Sequence, residues 1–138
     1  MFEQDYLMRM ILQLIEAINR SMERARGERG TGVAAELLDE AIGAATEIDG
    51  EVLLNLAPAS IADILSVSGT DPAVIEYVAH SLNLSSQYWR EAGDARKADL
   101  RAAQADALAR SYGFEIQGDV APDAAMRAFL ESRQPEKI

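Results

Sequence analysis

The chain has 138 residues, 49% of them hydrophobic and 26% charged, values that fit one globular domain and exclude intrinsic disorder and extracellular disulfide scaffolds. The absence of cysteine removes disulfides, thiolate-held zinc, iron–sulfur clusters and thiol nucleophiles, and fits a reducing cytoplasm. Thirteen Lys and Arg against twenty-three Asp and Glu leave a net charge of −10, a field that repels polyanions, so nucleic acid is not an expected partner.

The opening Met1-Phe2-Glu3-Gln4-Asp5 is acidic where a secretory signal is basic, so no export is expected. A first helix is expected from about Glu3 to Arg26, stopped by the glycine-rich stretch Gly27 to Gly32. Its most apolar window, Leu7 to Ile18, is broken by Arg9, Gln13 and Glu16 and is too short to cross a bilayer. No membrane partner is expected either. On a helical wheel its apolar residues Leu7, Met8, Met10, Ile11, Leu12, Leu14, Ile15, Ile18 and Met22 spread over roughly 200°, about twice the stripe of an ordinary surface helix. Two explanations stay open. Either this helix is the centre of the fold, or part of its face meets a second copy, with Met8, Ile11, Leu12 and Ile15 forming a homodimer interface.

The second helix is expected from Val33 to about Ile48. Val33, Leu37, Leu38, Ala41, Ile42, Ala45 and Ile48 point inward, and Glu36, Asp39, Glu40 and Glu47 form a solvated acidic stripe. Two-metal sites in helical bundles need a Glu-x-x-His pair on each of two helices, and this chain has one histidine, so no metal and no cofactor is expected. Two short helices follow, Glu51 to Leu56 and Ala59 to Ser66, with Pro58 suited to a first turn. Asp71 is placed to cap and Pro72 to open a fifth helix that runs to about Ala92. Its polar side carries Glu76, His80, Gln87 and Glu91. Tyr77, Leu84 and Tyr88 lie on the shoulder, where they either line a groove for a peptide or small apolar ligand or belong to the core.

Gly93-Asp94 makes a tight restart into a sixth helix ending near Tyr112, antiparallel to the fifth. Its seam of Ala98, Ala102, Ala105 and Ala109 permits close approach to Val74, Val78, Leu82, Ser85, Ser86 and Trp89. Arg90, Arg96, Lys97 and Arg101 cluster around that turn, either to receive an acidic peptide or to complement neighbouring acids and helix ends. Phe114-Glu115-Ile116 reads as an extended linker. A last helix is expected from Pro122 to about Ser132 with Ala125, Met126, Phe129 and Leu130 buried, and residues 134–138 are expected to fray. Nucleotide, zinc-protease and calcium motifs do not occur. The run Gly27 to Gly32 superficially resembles a phosphate loop, but it follows a helix and lacks the lysine.

Two resemblances emerge from these residues. The opening Met1-Phe2-x-x-Asp5-Tyr6-x-Met8-Arg9-Met10-Ile11 resembles the start of a family of small, uncharacterised bacterial helical proteins, which implies a bacterial source and a helical fold but no reaction. The stretch Leu82 to Ala105 is similar to a tetratricopeptide-type helical hairpin, with Trp89 four residues before Gly93 and Ala98 and Ala105 at the small positions of the second helix. Ala102 departs from that pattern, which carries a large residue there. One or two such hairpins cannot bury their own faces, so the resemblance implies a bundle completed by other helices or by a second subunit.

The expected fold is therefore all-α, one domain over residues 1–133 built from antiparallel, tetratricopeptide-like hairpins. The expected function is a non-enzymatic, cytoplasmic protein–protein interaction module or accessory subunit that self-associates. The alternative is a small metal- or nucleotide-handling enzyme with a site assembled from Glu36, Glu40, Glu76 and His80.

Overall fold

The computed structural model describes residues 2–28 and 30–133, so the fraying expected of residues 134–138 lies outside the described residues. The elements are α1 (Phe2–Ala25), α2 (Gly30–Thr46), α3 (Gly50–Leu54), α4 (Pro58–Ser68), α5 (Pro72–Glu91), α6 (Ala95–Tyr112) and α7 (Pro122–Ser132). No strand occurs among the described residues, and the fold is all-α. No described helix is long and apolar enough to cross a membrane.

Local chemistry sets the boundaries. Asp71 accepts a hydrogen bond from the Ala73 amide at 2.8 Å, and Pro72 opens α5, where a missing N–H costs nothing. Asp94 caps α6 in the same way, accepting from the Lys97 amide at 3.0 Å. Between them Gly93 sits at φ 93°, a conformation a side chain would resist, and this lets the chain reverse within three residues. A second glycine matters for packing rather than for φ: a Cβ on Gly43 would stand 3.0 Å from the Gly50 Cα, so α3 starts hard against α2 because Gly43 lacks a side chain.

The helices run as antiparallel neighbours. The Tyr6 hydroxyl at the start of α1 donates to the Glu47 carboxylate just past the end of α2. Asp39 of α2 bonds Ser85 and Trp89 of α5, with Gly32 near Ala92, so these two helices also oppose. Arg90 pairs with Asp99 across the α5–α6 turn. Asp123 at the start of α7 donates its amide to Gln87, and Arg133 at the far end reaches back to Glu76.

The central helix is α5, which packs against α6, α2, α7 and α1 and buries thirteen of its twenty residues. This corrects one of the two explanations for the broad apolar face of α1. That helix is an outer wall: it packs chiefly on α2, and its fully covered side chains are Leu14, Ile18 and Ser21. Leu7, Met10, Ile11, Ile15 and Met22 are half-buried on its shoulders. The central position of α5 is masked in the sequence because its core side carries Ser81, Ser85, Ser86 and His80, all buried. Small hydroxyls lower the hydropathy of a helix without widening it.

Candidate functional site

The groove expected at Tyr77, Leu84 and Tyr88 does not exist as an open surface. All three are buried, Leu84 completely, because α7 lies over this side of α5. The Phe129 ring meets Tyr77 edge-on at 4.8 Å, a favourable aromatic geometry. Burial raises the Tyr77 hydroxyl pKa, and it pushes that of Tyr88 up to about 12, with Asp123 nearby adding to the effect.

The expected basic patch is likewise taken apart. Arg101 is inside the molecule, its side chain 6% exposed, paired at 3.1 Å with Asp39. Arg90 pairs with Asp99 at 3.0 Å, and Lys97 places its ammonium 4.3 Å from the centre of the Trp89 ring. Arg96 is exposed. Four cations close together in sequence thus face four different environments, and Arg101 is withdrawn from any surface the other three share.

Asp39 is also misplaced by the reading of α2 as having a clean acidic stripe. Its two oxygens accept from Ser85 Oγ at 2.7 Å, Trp89 Nε1 at 3.0 Å and Arg101 Nε and Nη2 at 3.3 and 3.1 Å. Arg101 donates onward to the Leu54 carbonyl at 2.8 Å, and the Gln104 amide donates to the Leu54 and Leu56 carbonyls at 3.0 and 2.9 Å. A largely covered carboxylate is tolerable because its lone pairs are filled by an arginine and two neutral donors. The network welds α2, α5, α6 and the end of α3 together. Residue spacing does contain a signal for it: Ala98, Arg101, Ala105 and Leu108 fall at i, i+3, i+7 and i+10, so Arg101 occupies a core position of α6.

Above this network lies a groove of about 550 Å³ rimmed by Glu36, Glu40, Asp49 and Glu51. Glu76 and His80 line a different, smaller cavity of about 250 Å³ beside α7. The four residues of the enzymatic alternative are therefore not brought together. Among the described residues, no group of three or more His, Asp or Glu side chains is arranged to hold a metal ion. His80 itself, expected on the polar side of its helix, is 6% exposed.

What remains open is the outer face of α1. Met8 and Leu12 are each 56% exposed, one turn apart, with Ile11 and Ile15 half-buried beside them. Asp5, Arg9, Gln13 and Glu16 border this strip. Comparison with known proteins adds no family: no family model matches the chain, and no curated protein or solved structure is similar to it.

Proposed function

We propose that the chain is a non-enzymatic protein–protein interaction module, an accessory subunit that pairs with a second copy through the outer face of α1. The observation that carries this reading is the exposure of Met8 and Leu12 side by side on an otherwise acidic protein. Single exposed apolar residues are ordinary, but two large ones at i and i+4, flanked by half-buried isoleucines, form a continuous strip along a helix of 24 residues. Charged neighbours of both signs, Arg9 and Glu16, supply the polar rim that such a contact needs. Cysteine-free composition supports residence in a reducing cytoplasm. A tetratricopeptide-like α5–α6 hairpin fits an interaction role without adding a ligand.

Sedimentation of the wild-type chain and of Leu12→Glu tests this. The expected result is a dimer at tens of micromolar and a monomer for Leu12→Glu with unchanged helical circular dichroism, since burying an unpaired carboxylate costs a contact of this size several kcal/mol, on the order of its whole affinity. A wild type that is strictly monomeric at that concentration, or a dimer indifferent to Leu12→Glu, overturns the reading.

A further inference from the structure

His80 is the chain's single histidine, and it is one of the points at which α7 is held. The Phe129 ring of α7 lies flat on the imidazole with ring centres 3.9 Å apart and planes 12° apart, and Phe114 of the linker stacks from farther away at 6.1 Å. The imidazole Nδ1 is buried without a hydrogen-bond partner among the described residues, a condition shared only with Ser81 Oγ. A neutral ring accepts this arrangement at modest cost. A protonated ring does not, because burial against Phe129 strips its charge of solvation and no side chain among the described residues accepts from Nδ1.

The groups around His80 do not compensate such a charge. Glu76, on its own helix, is engaged by Arg133 from the end of α7. The Arg133 guanidinium also lies 4.8 Å from the centre of the Phe129 ring, so one cation already occupies this corner. Tyr77 is neutral, with a raised pKa. Glu115 of the linker is exposed at the rim of the cavity, where water screens it. That cavity, of about 250 Å³, lies between α5, α7 and the linker and gives a proton a route to the ring.

Helix α7 is also lightly held for its length. Its principal neighbour is α5 alone, and residues 113–121 connect it to α6 with no helix or strand. The geometry points to a proton-operated latch: protonation of His80 releases Phe129 and with it α7, uncovering the apolar side of α5 at Tyr77, Leu84 and Tyr88. Burial, reinforced by Arg133, holds the docked imidazole down to a pKa of about 4 against an ordinary 6.5. The undocked ring therefore binds a proton below pH 6.5 while the docked ring stays neutral. Docking is intact above that pH and weakens progressively toward pH 4.

Hydrogen exchange of the full chain, read by mass spectrometry from about pH 7 to about pH 4.5 and corrected for the intrinsic pH dependence of exchange, tests the latch. The open population of α7 is expected to rise up to about tenfold per pH unit below pH 6.5, while amides of α2 and α6 keep their protection. His80→Phe, which keeps a flat ring and cannot titrate, is expected to remove the pH dependence. Flat protection of α7 in the wild type, the same loss in His80→Phe, or a loss shared equally with α2 and α6 overturns the proposal. Should His80→Phe fail to fold, NMR titration of the single imidazole in the wild type decides: a pKa depressed well below 6.5 and moving in step with α7 exchange supports the latch, and titration near 6.5 with α7 still protected overturns it.

Discussion

Asp39 and Arg101 show how one buried ion pair changes the meaning of several surface-looking residues. Their side chains are 15% and 6% exposed, and each would be left as an uncompensated charge if the other were removed. Asp39→Ala or Arg101→Ala is therefore expected to destabilise the fold by about 3–5 kcal/mol. The double substitution Asp39→Leu with Arg101→Met is expected to cost clearly less than the sum of the two alanine effects, because no charge is left behind. Urea denaturation of the three variants checks both statements. From the sequence these residues read as part of an acidic stripe and a basic cluster, since charge type is visible there and spatial partner is not. Ser85 and Trp89, forty-six and fifty positions from Asp39, complete the site only through the fold.

At the scale of the element, α1 separates burial from apolar character. Leu14 and Leu12 are two residues apart and chemically identical, yet one is 1% exposed and the other 56%. Leu14→Ala is expected to cost about 2–5 kcal/mol of stability, and Leu12→Ala to stay within about 0.5 kcal/mol under dilute, monomeric conditions. Thermal or denaturant melts of the two variants distinguish a load on the core from a load on an outer contact. Helix ends marked by a cap and a proline were the most legible feature of the chain, whereas α2, expected from Val33 to Ile48, spans Gly30–Thr46 and so begins within the glycine-rich stretch expected to be a loop. Asp71-Pro72 and Gly93-Asp94 place the limits of α5 within one residue of those observed, because a cap and a proline act on their immediate neighbours. The face that each helix turns inward was less legible. The wide apolar arc of α1 makes an outer helix look central, the serines on the core side of α5 make a central helix look half-solvated, and His80 reads as a surface residue for the same reason.

For the whole molecule, the all-α class follows directly from helical periodicity and the lack of partnered strands, whereas the order of packing does not. The placement of α7 over Tyr77, Leu84 and Tyr88 is the main example. Those residues have the spacing of a groove, and the segment that fills it lies more than thirty residues farther along the chain. Net charge belongs to this scale too. Two copies carrying −10 each repel one another, so pairing through the apolar strip of α1 is expected to tighten as salt is raised from a Debye length of about 30 Å to one of about 8 Å. Sedimentation across that range checks the sign; weakening with salt would instead mark a contact dominated by attraction between opposite charges.

The bonds from Arg101 and Gln104 to the carbonyls of Leu54 and Leu56 have a consequence for the birth of the protein. Five residues are too few for α3 to be stable alone, and the donors that secure its exit are translated nearly fifty codons later. During synthesis the carbonyls at this corner can meet these donors only after α6 has emerged from the ribosome, so the exit of α3 is completed later than its start, which rests on the upstream α2.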